Sequence, residues 1–325
     1  MAQRPSSWLA VLLVVAAASL FGTLGPLSRT AYDAGLAPFA WVAWRAGFGA
    51  AGLWLVIAGR RGPRSIVAGL RAAPASERRW LALAILASAL LNLSVFVAFQ
   101  RTTIALALLA FYTYPAIVAA VSAVLGHERL DGSRRAALAL AIVGMAAVVV
   151  GGLQPDAGLS VDALGLGLAL FAAACQSTFV VASRGYASIR TEEAMGSILI
   201  GCCAIAAVAT IVVDGPGALA LPIATPGLLG LLVGVGLLAA ALPSFLFLTG
   251  IRRLGPVRAG ILMLWEPVVG IVLAGIVLGQ VVTTIQLVGG ATILAAAVLA
   301  QRPGHGAGGA VEELPVPLAP APGGP

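Results

Sequence analysis

The chain has 325 residues, of which 60% are hydrophobic and 10% are charged, and its mean hydropathy is +1.04. Because soluble domains carry about 25% charged residues, this composition excludes an ordinary soluble protein and indicates a membrane protein. All 19 basic residues are arginines, and they contribute to a net charge of +7. The arginines stand in short segments between apolar runs, which is typical of topology signals and argues against a nucleic-acid partner.

Apolar runs of about 20 residues, each long enough to cross a bilayer as a helix, recur along the chain. They predict an all-α polytopic protein with spans at 8–28, 36–58, 80–100, 103–126, 135–153, 162–183, 194–213, 227–250, 256–279 and 283–301. The first run follows Arg4 as a signal peptide would, but the later spans favour a first transmembrane helix. Only 100-QRTT-103 separates the third span from the fourth, and a helical junction there would reduce the count from ten to nine.

The arginine positions distinguish between ten spans and nine. With a cytoplasmic N-terminus, ten spans place 16 arginines in inner segments, Arg29 and Arg101 outside, and Arg45 within a span. Nine spans would move the later arginines outside, although cytoplasmic loops are normally the ones enriched in arginine. We therefore expect a multi-pass protein of the cell membrane with both termini cytoplasmic. Residues 302–325 are dense in Pro, Gly and Ala, so we expect this tail to be disordered.

The two halves of the chain are related by an internal repeat. Pro115 and Pro267 are 152 residues apart, as are Arg101 and Arg253, and the hydropathy of the halves runs in parallel. The repeat divides the chain into residues 1–153 and 154–301, with five predicted spans each. Because five is odd, the second copy would cross the membrane upside down relative to the first. Inverted repeats of this kind are typical of secondary transporters, whose substrate sites lie near the midplane between the halves.

Two motifs carry a resemblance to a known family. In 115-PAIVAAVSAVLGHERL-130 and 264-LWEPVVGIVLAGIVLGQ-280, a proline precedes by 13 residues the Glu or Gln that ends the span. Over about residues 8–301 the chain resembles the EamA-type family of the drug/metabolite transporter superfamily. The resemblance implies ten spans and transport of small metabolites, often amino acids or related compounds and often in exchange with protons; we expect an exporter. Gln280 departs from the pattern, because the second copy usually has Glu there.

Glu266 is the strongest candidate for chemistry. It lies about ten residues into the ninth predicted span, where an acidic side chain costs about 2.5–3.5 kcal/mol on insertion scales. It would bind a proton or a substrate ammonium group in a central cavity, or else stay neutral or paired and only fix packing. Pro267 removes a backbone donor beside it, so the helix would expose backbone to a ligand, act as a hinge together with Pro115, or contain a tolerated kink.

Arg45 is the only arginine well inside a predicted span. A buried cation needs a counter-charge, and Glu266 is the only carboxylate at a similar depth. Three hypotheses follow: Arg45 pairs with Glu266, binds a carboxylate of the substrate, or snorkels to an interface without a specific partner.

Aromatic and polar residues at cavity depth supply further binding candidates: Trp41, Trp44, Asn92, Tyr112, Tyr114, Gln176 and Trp265. Tyr114 stands out because it occupies the repeat position of Glu266, although each such residue is also typical of packing or of an interfacial belt. Glu128, beside Arg129 at the inner end of the fourth span, would form a helix-end ion pair or a gate.

Other kinds of site have weak support in the sequence. Gly234-Val-Gly236-Leu-Leu-Ala239 matches a dinucleotide fingerprint by letter, but no strand precedes it. The three cysteines and two histidines lack metal or redox spacing, and no nucleophile and base are suitably arranged, so we expect no cofactor, no metal and no enzyme activity. A non-transporting scaffold, a membrane enzyme and a passive channel remain the alternatives to a transporter. A homodimer is neither required nor excluded.

Overall fold

The computed structural model describes residues 7–62, 69–101, 104–125, 131–151, 162–278 and 283–300, and the regular structure within these ranges is helical. The helices of the first half are α1 (Ser7–Phe21), α2 (Leu24–Asp33), α3 (Pro38–Arg61), α4 (Ala75–Arg101), α5 (Ile104–Phe111), α6 (Tyr114–Val124) and α7 (Gly132–Gly151). Those of the second half are α8 (Ala163–Ala182), α9 (Thr191–Val213), α10 (Gly217–Ala224), α11 (Pro226–Val235), α12 (Leu242–Leu254), α13 (Pro256–Met263), α14 (Glu266–Leu278) and α15 (Thr284–Ala300). A 3-10 turn covers Ser183–Tyr186, and a π-helical segment covers Gly236–Ala241.

Eight helical stretches of the described chain are long and apolar enough to cross a membrane. The ninth predicted span corresponds to the two short helices α13 and α14, and the tenth corresponds to α15, which has 17 residues. The count of ten spans therefore stays a prediction, although the described helices follow all ten predicted segments.

The structure also contains features that the hydropathy pattern did not reveal. A turn at Gly22–Thr23 separates α1 from α2 inside one apolar run, and α10 occupies part of a predicted loop. The π-helical segment lies within the eighth predicted span, between α11 and α12. Hydropathy measures how apolar a segment is and carries no information about local hydrogen-bond register, so it could not distinguish these features from continuous helix.

Asp162 shows how a helix start is fixed at the surface. Its carboxylate caps α8 by accepting hydrogen bonds from the N–H groups of Leu164 and Gly165, at 2.8 and 3.3 Å. The side chain of Arg101 donates a further bond to Asp162 at 2.9 Å. The backbone bond from Gly165, with the contributions of Leu164 and Arg101, holds the pKa of Asp162 below its usual value.

The packing of helices follows the 152-residue shift between the halves. Moved by 152 residues, the starts of α3 and α7 fall at positions 190 and 284, next to the start of α9 and on the start of α15. These equivalent helices pack against each other, α3 on α9 and α7 on α15. The contact of α4 with α8 also has a counterpart, the contact of α12 with α1. Each half therefore buries its apolar faces largely against the other half.

The contact between α7 and α15 depends on two glycines. A Cβ atom on Gly144 would lie 2.8 Å from the carbonyl oxygen of Gly289, and one on Gly289 would lie 2.6 Å from that of Gly144. In a bilayer, where helix association relies on close packing, such small residues let two backbones approach.

Candidate substrate and proton site

Two helix breaks, 152 residues apart, form the centre of the candidate site. The first break separates α5 from α6 at Tyr112–Thr113, and the second separates α13 from α14 at Leu264–Trp265. At the first break, two successive N–H groups, of residues 116 and 117, donate to the carbonyl of residue 113, at 3.0 and 3.3 Å. At the second, the N–H groups of residues 268 and 269 donate to the carbonyl of residue 265, at 3.1 and 3.2 Å. The two backbones therefore make the same turn.

Proline explains why the chain breaks at both places. Pro115 and Pro267 lack an N–H, so the carbonyls of Phe111 and Met263, four residues earlier, lose their usual helical donors. Proline also disfavours helical geometry in the residue before it, but Tyr114 and Glu266 are the first residues of α6 and α14, so the breaks fall earlier in the chain. The predicted proline breaks are thus present, each two or three residues before the proline itself. Broken helices expose backbone groups that can bind a ligand or absorb a hinge motion.

Glu266 lies at the meeting point of the two breaks. It is half-buried at the first position of α14, and the hydroxyl of Tyr112 donates a hydrogen bond to its carboxylate. Tyr114, at the repeat position of Glu266, is 1% exposed and interacts with it electrostatically. The backbone of α13 is close to the first break, since a Cβ on Gly260 would lie 3.5 Å from Pro115. The structure therefore brings together the two positions that the repeat made equivalent.

Arg45 is buried on α3 with only 7% of its surface exposed. Its guanidinium donates a hydrogen bond to Oδ1 of Asn92 and stands 5.2 Å from the centre of the Phe96 ring. The amide of Asn92 is oriented by a second bond, from Nδ2 to the carbonyl of Ser88 at 2.7 Å. Arg45 is therefore held against α4 inside the protein.

The charges of Arg45 and Glu266 interact through space. Among the described residues, the ion pairs within 4.0 Å do not include these two. Two other groups interact electrostatically with Arg45, the phenol of Tyr32 and the thiol of Cys202. Arg45 and Glu266 therefore form no direct ion pair in this conformation. Pairing with Glu266 and binding of a substrate carboxylate both stay predictions for Arg45.

The three tryptophan candidates differ in how their indole N–H groups are used. Trp44 donates to the carbonyl of Leu219 at 3.1 Å and thereby ties α3 to α10. Trp265 donates to the hydroxyl of Ser19 on α1, also at 3.1 Å. Trp41 is fully buried, and its Nε1 has no hydrogen-bond partner in the part of the chain that the structure describes.

Gln176 and Glu128 complete the predicted set. Gln176 lies on α8 and is 8% exposed, whereas Glu128 and Gln280 lie outside the described residues.

Sequence reasoning missed two serines whose hydroxyl groups form hydrogen bonds at the breaks. Ser19 binds Trp265, and Ser177 donates to the carbonyl of Tyr114 at 3.2 Å. Serine is common in membrane helices, so only its position beside a break identifies it.

A cavity of about 250 Å³ lies behind Trp265, between α7, α14 and α15. Its lining is mostly apolar and includes side chains on the outer surface of the bundle: Val148, Trp265, Val268, Val272, Gln286, Leu287, Gly290, Ala291 and Leu294. Neither Glu266 nor Arg45 belongs to this lining. The cavity is therefore a groove toward the surrounding bilayer, distinct from the central cavity that the sequence predicts.

Comparisons with known proteins agree with this architecture. One solved structure, described only as the crystal structure of a protein, is similar over 91% of this chain and 98% of its own length, with a TM-score of 0.72 and 21% identity. This similarity shows a shared fold. No curated protein matches the chain. The sequence model of the EamA-like transporter family matches twice, over residues 8–150 and 163–301. Because these stretches cover most of the chain, the protein belongs to the EamA-like transporter family.

Proposed function

We propose that the protein is a secondary active transporter that exports a small metabolite, such as an amino acid or a related compound, with Glu266 as its proton-coupling carboxylate. Family membership makes it a multi-pass membrane transporter, which implies a small-molecule substrate and a lipid bilayer. The substrate, the direction of transport and the coupling to protons are parts of the proposal. The observation that carries it is the position of Glu266 at a helix break, where Tyr112 of the other break binds its carboxylate.

Protonation of Glu266 offers a physical route to coupling. A hydrogen bond to an ionised carboxylate is roughly twice as strong as one between neutral groups. The contact between Tyr112 and Glu266 joins α14 to the turn before α6, so gain of a proton would weaken a link between the two halves. A proton that changes this link would bias two arrangements of the halves differently, as alternating access requires.

The proposal includes a membrane topology. It places ten spans in two inverted repeats, residues 1–153 and 154–301, in the cell membrane, with both termini and the 302–325 tail in the cytoplasm. A reporter enzyme fused after residue 325 should register in the cytoplasm. A reporter active only outside the cytoplasm would reject this topology.

The first test of function compares metabolites inside and outside cells that express wild type, Glu266→Gln or Glu77→Gln at matched membrane levels. Glu77→Gln is the matched control, because Glu77 lies at the start of α4 and accepts a bond from the backbone N–H of Ser188 at 3.2 Å, which glutamine can also accept. We expect wild type and Glu77→Gln to redistribute the same compound and Glu266→Gln to fail.

Other outcomes would change the assignment. Equal redistribution by all three proteins would reject the coupling role of Glu266. Absence of redistribution in several hosts would favour the scaffold or enzyme hypothesis. Once a substrate is known, saturable flux that is stimulated by substrate on the opposite side would identify a carrier, whereas flux without this trans-stimulation would indicate a channel.

A further inference from the structure

Trp41 and Arg45 present two buried hydrogen-bond donors that the fold leaves unsatisfied. Nε1 of Trp41 and Nε of Arg45 are both buried and have no hydrogen-bond partner among the residues that the structure describes. Their side chains are 0% and 7% exposed. An unsatisfied donor is costly in a bilayer, where lipid offers no acceptor. An acceptor from outside the chain would satisfy both donors.

The two donors occupy one face of one helix. Trp41 and Arg45 are four residues apart on α3, the spacing that makes side chains neighbours on a helix surface. The contacts of Arg45 with Asn92 and Phe96 fix its guanidinium on the side of α4 and leave Nε unbonded. Tyr32 packs edge-on against Trp41, with ring centres 6.4 Å apart. Neighbouring side chains thus hold the two donor groups in place without accepting hydrogen bonds from them.

The chemistry of the pair selects for a negative ligand. Indole and guanidinium N–H groups donate and cannot accept, so the ligand must supply acceptors. The guanidinium also carries a full positive charge. The groups that face it are the phenol of Tyr32 on α2, the thiol of Cys202 on α9 and the carboxylate of Glu266 on α14, while α4 contributes the uncharged Asn92 and Phe96. Glu266 alone among them is normally ionised near neutral pH.

We propose that Trp41 and Arg45 form an anion subsite, which takes either the carboxylate of the transported metabolite or a small inorganic anion. The inference rests on the proposed function, and it adds a ligand class and two binding groups to it. The charge of Glu266 opposes an anion at this subsite, so the anion binds more tightly when Glu266 is protonated. Binding of the anion and binding of the proton therefore favour each other, and the coupling is reciprocal, so an exported anion would leave together with a proton and not in exchange for one.

Binding is measured on the purified full-length protein in detergent, through the thermal unfolding midpoint as sodium isethionate, a bulkier sulfonate without a carboxylate, is replaced by sodium chloride or sodium acetate at constant ionic strength. The variants are Trp41→Phe, Trp54→Phe and Glu266→Gln. Trp54 is the matched control, because it also lies on α3 with a buried, unpartnered Nε1, but 13 residues from Trp41. The same titration on Arg45→Lys tests the charge without the fork of guanidinium donors.

We expect one of the two anions to stabilise wild type and Trp54→Phe equally. Trp41→Phe should bind it about 10-fold or more weakly, as expected for the loss of one hydrogen bond to a charged group. Glu266→Gln should bind it about 5-fold or more tightly, the lower end of usual coupling between sites. A response to acetate would identify the carboxylate of a metabolite as the ligand, and a response to chloride alone would identify an inorganic anion.

Two results would overturn the subsite: no stabilisation of wild type by either anion, or equal weakening by Trp41→Phe and Trp54→Phe. Because this measurement needs no transport, its failure is separate from failure of the proposed function. Transport that depends on Glu266 without anion binding would leave the transporter and remove the subsite. Anion binding without any transport would support the subsite and reject the proposed transport function.

Discussion

The break at Tyr112–Thr113 and the break at Leu264–Trp265 make the same turn, but they carry different chemistry. At equivalent positions the first presents Tyr114, a buried phenol, and the second presents Glu266, a carboxylate. A serine on α8 binds the first break and a serine on α1 binds the second. Both copies of the repeat therefore form the same backbone turn, but only the second copy has a carboxylate at this position. Four experiments test this division of roles.

The largest expected effect concerns the charged member of the pair. We expect Glu266→Gln to lower the rate of pH-driven transport by a factor on the order of 100. Loss of a proton-transferring group slows a reaction on this scale. Tyr114→Phe should retain the pH dependence, because a phenol is not ionised in this range. Substrate flux in proteoliposomes with an imposed pH gradient measures both. Equal losses in the two variants would show that the two breaks share one role.

The second experiment tests how tightly the second break is held. A Cβ atom on Gly22 would lie 2.8 Å from the carbonyl oxygen of Glu266, whereas one on Gly25 would meet nothing within 4 Å. Gly22→Ala should therefore lower the free energy of unfolding by about 1–3 kcal/mol, as overpacking does. Gly25→Ala should leave it unchanged or raise it slightly. Thermal melting in detergent compares the two, and equal melting would reject the close contact between α14 and the turn that follows α1.

The third experiment separates two neighbouring phenols of the first break. Tyr112→Phe removes the hydrogen bond to Glu266, whereas Tyr114→Phe removes a hydroxyl that has no hydrogen-bond partner in the described ranges. We expect a cost of about 0.6–1.7 kcal/mol for Tyr112→Phe, the range of hydrogen bonds between membrane helices, and almost none for Tyr114→Phe. Unfolding by denaturant in mixed micelles measures both. A larger loss from Tyr114→Phe would contradict the assignment of the bond.

The smallest effect contrasts the start of the second half with that of the first. Asp162 caps α8, while the position 152 residues earlier is Ala10, which lies inside α1 and has no side-chain acceptor. Because the folded protein lowers the pKa of Asp162, its contribution is fully present above the unfolded pKa and is lost as pH falls through the lower folded pKa. Asp162→Asn keeps the acceptor but has no charge to lose. We expect it to show a slightly smaller loss of melting temperature between neutral and acidic pH than wild type shows.

Particular residues show how far sequence reasoning reached. Glu266 was identified because a carboxylate within an apolar run has a high free-energy cost in a membrane. The 152-residue spacing identified Tyr114 as its equivalent. Their assigned roles stay predictions, although the structure brings both residues to the meeting of the breaks. Ser19 and Ser177 were missed because nothing in their sequence neighbourhood marks them. The turn at Gly22–Thr23 was missed because the run is apolar on both sides of it, although Pro26 follows three residues later.

The sequence by itself determined that this protein is a helical membrane protein of repeated design, because hydropathy and proline spacing are properties of the chain alone. It also determined which side chains would be expensive to bury. Only the tertiary structure decided what those side chains touch. Arg45 is held by Asn92 and Phe96 and meets Glu266 only through space. The indole N–H of Trp41, unlike those of Trp44 and Trp265, has no partner within the described part of the chain. Such choices depend on distances between helices far apart in the chain, which no local pattern encodes.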